Sequence, residues 1–198
     1  SKIFNFAHGE FLTFGGLLMA SLTAPPIPPE MVGQLGMPAI SGLGWSWPVS
    51  LVIAVVSTGI LAAVVERVML RPLVGRPVFV SIILTLFVGV LLRTIMSLGW
   101  GNQPIPLSTP WGSLSGIEMG NAVLQYDRLS GIAASAIAMI LFYLVLTYTR
   151  LGVAMRATAS DQEAALAMGI PVGRIFIATW FIAGAIAGMG GIFVGVTT

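Results

Sequence analysis

Four stretches of this chain are too apolar, and too free of charge, to belong to a protein that folds in water. Leu129 to Thr149 runs for twenty-one residues without a charged side chain. Val49 to Val65 and Ile175 to Val196 are also uncharged, and Val78 to Leu98 carries only Arg93. At about 1.5 Å of rise per helical residue, roughly twenty residues cross a hydrocarbon core about 30 Å thick. In that medium only a backbone that satisfies its own hydrogen bonds survives, so such runs must be helices. The whole chain agrees. Of its 198 residues 57% are hydrophobic and 8% charged, where a soluble domain carries about 25%. The sequence therefore predicts an all-α membrane protein, a polytopic helical bundle.

A fifth segment is less regular. Ile3 to Ala24 is apolar apart from Asn5, His8 and Glu10. It reads as a short span or as the second part of a broken one, which brings the expectation to about five membrane segments. Between Thr23 and Pro48 stand Pro25, Pro26, Pro28, Pro29, Pro38 and Pro48. Such a density cannot continue as helix, because proline removes donors and restricts the residue before it. The stretch from Gly99 to Asp127 is a second polar loop. Within it Ile117 to Leu124 places Gly120-Asn121 between short apolar arms, a small hairpin signal. Trp45, Trp47 and Trp100 are expected at the headgroup level.

Basic residues orient the spans. Lys2, Arg67, Arg71, Arg76, Arg150, Arg156 and Arg174 all fall on one side of five alternating segments, and Arg128 alone borders the other. Positive charge favours the cytoplasmic face. The two Pro- and Gly-rich loops therefore face outward, and residues 150–174 lie in the cytoplasm.

That inner segment is the longest run in the second half of the chain that a bilayer would reject. Asp161 and Glu163 lie between Arg150, Arg156 and Arg174. Ser160 is the expected N-cap of a helix of about two turns, with Glu163 at the capping-box spacing. Gly169 stops this helix and Pro171 prevents its continuation. Ala164, Ala165 and Met168 share one face by helical spacing, and small alanines on an exposed face would let a partner groove close over them. Taken alone, the segment reads as an ordinary interfacial loop.

Other polar residues are sparse. Asn5 and His8 can share a helical face, with Glu10 nearly opposite; they are either structural or in contact with a substrate, since polar groups at membrane depth are often functional. Arg93, near the end of its span, is expected to snorkel outward or to anchor a carboxylate. Gly184, Gly188, Gly191 and Gly195 form a narrow stripe suited to close helix packing, and a smooth stripe would also permit small helix movements. One histidine and no cysteine argue against a metal site and against a Ser-His or Cys-His hydrolase. No phosphate-binding Gly-x-x-x-x-Gly-Lys-Ser/Thr motif is present, and a net charge of +2 gives no nucleic-acid footprint. No catalytic residue and no cofactor are expected.

Three blocks carry a resemblance. Glu163-Ala164-Ala165 followed by Gly169 looks like the loop motif of permease subunits of ABC importers. The run Thr149-Arg150-Leu151-Gly152, Met155-Arg156-Ala157, Asp161, Ala165 and Gly169-Ile170 resembles, more narrowly, permeases of the branched-chain amino acid importer family. Asn5-Phe6-Ala7-His8-Gly9-Glu10 is similar to that family's first signature, and Glu66-Arg67 with Arg71-Pro72-Leu73 to its first cytoplasmic turn. The blocks occur in the family's order. The resemblance implies a single transmembrane permease domain over residues 1–198, a piece of a chain longer at both ends, in the bacterial inner membrane. It implies a separate ATPase gripping Arg156, Asp161, Glu163, Ala164, Ala165 and Gly169, a second permease subunit, and an extracytoplasmic substrate-binding protein. Asn5, His8, Glu10 and Arg93 are then candidates for the substrate pathway. The rival reading is an ion-coupled secondary transporter or channel. It would need acidic groups or broken helices inside the spans, and the clean spans lack them.

Overall fold

A computed structural model describes residues 7–24, 43–73, 78–101, 107, 109–111, 116–119 and 122–197. The Pro-rich run from Pro25 to Pro38, Lys2, Asn5, Phe6, Arg76 and the Gly120-Asn121 turn lie outside them. Seven α-helices and one hairpin make up the described chain. In order they are α1 (His8–Thr23), α2 (Trp47–Val65), α3 (Val78–Trp100), β1 (Gly116–Met119), β2 (Ala122–Gln125), α4 (Tyr126–Tyr148), α5 (Arg150–Ser160), α6 (Gln162–Ala167) and α7 (Val172–Thr197). A five-residue π turn, Glu66–Leu70, and a 3-10 turn, Arg71–Leu73, continue α2.

Four helices are long and apolar enough to span a bilayer: Trp47–Leu70, Phe79–Trp100, Tyr126–Tyr148 and Val172–Val196. These match the four runs read from the sequence. At 16 residues, α1 is about 24 Å long, roughly one turn short of a full crossing. The hairpin forms as expected, antiparallel, with Met119 opposite Ala122.

The bundle is built around α7, which packs along both α1 and α2. Lipid is as apolar as leucine, so close contact and interhelical hydrogen bonds hold membrane helices together more than the hydrophobic effect does. Small residues make that contact. A Cβ on Gly15 would strike the backbone of Gly188, and one on Gly191 would strike the backbone of Leu12. Gly184 sits against Ala62 and Thr58 of α2, and Gly188 also meets the Thr58 side chain. Three of the four stripe glycines are therefore packing contacts; Gly195 meets nothing within 4 Å. Thr58, fully buried in this seam, gives its hydroxyl proton to the Ala54 carbonyl at 2.7 Å. Phe11, Ala62, Val88, Leu92 and Met96 form the larger core cluster, and Met19, Ala54 and Ile192 the smaller.

Tryptophans divide by role. Trp45 is exposed, in keeping with a headgroup position. Trp47 packs on Trp111 and Phe193 at centroid distances of 5.4 and 6.1 Å. Trp111 donates its indole N–H to buried Asp127 at 2.6 Å, which ties the loop to the start of α4. Trp100 departs from the headgroup expectation. It is buried, stands edge-on to Phe14, and donates its indole N–H to Ser21 of α1. The hydroxyl on a neighbouring helix supplies the partner that water would otherwise give.

Candidate functional site

At the end of the bundle where α7 begins, residues 150–170 hold two short helices, α5 and α6, where the sequence predicts one. The first, α5, starts at Thr149, whose hydroxyl accepts the Gly152 N–H at 3.0 Å. Gly152 tucks beneath the last turn of α4, where a Cβ would strike the Val145 and Leu146 carbonyls. Those carbonyls are orphans of the helix end. Thr149 donates both its N–H and its hydroxyl to Val145, and Arg156 donates its guanidinium to Leu146. Arg156 is thus a staple between α4 and α5.

The second helix, α6, is only six residues long, and its sequence fixes both ends. Its N-cap is Asp161, with one carboxylate oxygen accepting the N–H groups of Glu163 at 2.9 Å and Ala164 at 3.0 Å. This corrects the expectation for Ser160, which is the last residue of α5. Ser160 still belongs to α5, so the first residue free to cap α6 is Asp161. At the other end Ile170 N–H reaches the Ala165 carbonyl at 3.0 Å and Gly169 N–H the Leu166 carbonyl at 2.9 Å. This is a Schellman turn, and Gly169 takes the required left-handed conformation at φ 78°. Pro171 follows, and its carbonyl accepts from Arg174 and Ile175 to start α7.

The faces of α6 differ from those expected. Ala165 is buried at 3% exposure and pins the helix to the bundle, while Ala164 is exposed. What stands outward with Glu163 and Ala164 is larger: Leu166 at 55% and Met168 at 83% exposure. The spacing rule places residues on a common face but does not say which face turns inward.

The other candidates scatter. His8 and Glu10 do diverge. His8 lines a cleft of about 540 Å³ with Arg156, Thr158, Thr179, Phe142 and Trp180. Both threonine hydroxyls there are spent on their own helices, Thr158 on Ala154 and Thr179 on Ile175, each at 2.8 Å. His8 and Arg156 therefore supply the cleft's polarity. Glu10 instead reaches α3, its Cγ beside Gly89. Arg93 is exposed on α3 and stands about 10 Å, or two turns, inside the helix end rather than at it. It is not among the residues lining the cleft. No group of three or more metal-ligating side chains occurs among the described residues.

Membership of a family follows from comparison with known proteins. A family described as "Branched-chain amino acid transport system / permease component" matches residues 1–198. The chain belongs to this family of permeases. Relatives of this permease include the high-affinity branched-chain amino acid transport system permease protein LivH of Salmonella typhimurium. The two are 24% identical over 204 residues, covering 96% of this chain and 60% of the relative. LivH of Escherichia coli strain K12 is 23% identical over 203 residues, with the same coverage. BraD of Pseudomonas aeruginosa, described in the same terms, is 23% identical over 194 residues. The permease thus spans about 60% of the length of the curated relatives it matches. No solved structure matches it. It is a multi-pass transport permease of the bacterial inner membrane.

Proposed function

We propose that this chain is part of the permease subunit of an ABC importer for branched-chain or related amino acids, with α6 as the segment on which a separate ATPase docks. A second permease subunit completes the pathway, and a substrate-binding protein delivers to the outward loops. The chain itself performs no bond chemistry. The observation that carries this reading is the surface of α6. A six-residue helix capped at both ends presents Leu166 and Met168 to a compartment where apolar side chains need cover. Helix-in-groove docking uses such anchors, with Asp161 and Glu163 supplying a charged rim.

The test is co-purification of the full-length permease with its ATPase. Leu166→Asp, Met168→Asp and Gly169→Arg should each reduce the recovered ATPase at least tenfold while the permease stays monodisperse. Recovery equal to wild type for all three would remove α6 as the docking segment. Ala165→Glu should also release the ATPase, through loss of the buried anchor.

A further inference from the structure

Where α2 ends, the π turn buries an acidic side chain. Glu66 is buried at 3% exposure, and its Oε2 has no hydrogen-bond partner. A buried carboxyl oxygen without a hydrogen-bond partner is costly, and single π turns within helices recur at functional sites. The cations that act on Glu66 are Arg71 and Arg67, both with exposed side chains. Neither donates to the free oxygen.

Arg71 is engaged elsewhere. Its guanidinium lies across Gly173 in the first turn of α7, where the Cβ of any other residue would stand. That seat is also imperfect. It puts a cation beside a helix N-terminus, whose partial charge is positive. Arg71 therefore has two seats, each with a stated drawback: Gly173, occupied here, and the unpartnered oxygen of Glu66. Gly173 is joined to α6 by only Met168 to Val172, a run held by the Schellman turn and the Pro171 carbonyl. A displacement of α6 would pull on Gly173 through this short run.

We infer that Arg71 is a two-position latch between α7 and α2, resting on Gly173 in this conformation and passing to Glu66 when α6 draws the first turn of α7 away. The exchange gives the movement of a surface helix a discrete effect on a membrane span, as switching elements require. Gly173 is the residue type the first seat demands. The latch rests on the docking role proposed for α6, and the two can fail separately.

The full-length permease, assembled with its ATPase, second permease and binding protein in proteoliposomes, provides the test. ATPase recovery on purification reports docking. ATP hydrolysed per radiolabelled L-leucine imported reports the latch. Glu66→Gln and Gly173→Ala should keep wild-type ATPase recovery and melting temperature, yet raise ATP consumed per leucine at least tenfold. Arg71→Ala opens space rather than filling it, so it decides the matter if Gly173→Ala does not assemble; it too should uncouple. Unchanged stoichiometry in Arg71→Ala and Glu66→Gln would overturn the latch. Lost ATPase recovery in these variants would overturn it as well, because it would make the cluster part of the docking surface.

Discussion

At the scale of single residues, α6 depends on two positions. Asp161 satisfies two N–H groups that would otherwise face water, and Asp161→Ala should cost the local fold about 1 kcal/mol. Gly169 holds a left-handed conformation that a side chain disfavours by about 1–2 kcal/mol. Hydrogen exchange at residues 162–167 should therefore speed several-fold in Asp161→Ala and in Gly169→Ala. Unaltered exchange in both would mean that Ala165 alone holds the helix. These signals were largely legible in the sequence, because a cap and a stop each act on backbone groups only a few residues away. The choice between Ser160 and Asp161 was not legible, since both satisfy the capping preference and only the path of the preceding helix separates them. The contact that Arg156 makes was hidden for a similar reason. Its partner is a carbonyl ten residues earlier, which becomes a neighbour only once the chain turns at Thr149 and Gly152.

At the scale of elements, length and charge located the four long helices, and the stripe on α7 was visible as Gly184, Gly188 and Gly191. Its counterparts were not. Gly15, Gly16 and Gly59 become informative only when α1 and α2 are known to be the neighbours of α7. Pairing between helices leaves no local trace in a sequence. The structure makes the stripe testable by contrast. Gly188→Ala must push into Thr58 and should destabilise the bundle by about 1–3 kcal/mol, read as a lowered melting temperature in detergent. Gly195→Ala, facing open space, should melt with wild type. Equal melting of the two would mean that α1 and α2 part from α7 more readily than their packing implies. The hydrogen bond from Trp100 to Ser21 joins α3 to α1, and Trp100→Phe should cost about 1 kcal/mol.

At the scale of the whole molecule, the arginine count sets α5 and α6 on one side and the hairpin on the other. The chain has no cysteine, so single cysteines can be placed without background. Glu163→Cys should be labelled by an impermeant maleimide only from the cytoplasm, and Thr109→Cys only from outside; the reverse pattern would invert the topology. Movement across this frame is governed by where α7 is gripped. Its 26 residues make a rod about 39 Å long, with Gly188 about 24 Å from the α6 end and about 14 Å from the other. A stiff rod pivoting at that contact is an unequal lever. A push at the α6 end would arrive at the far end reversed in direction and reduced to a little over half. Spin-label distances measured at both ends of α7 during ATP turnover would show changes in that ratio; equal changes of the same sign would mean that the rod slides rather than pivots. On the proposed importer reading, the permease would open widely toward the cytoplasm while moving its outer mouth only slightly.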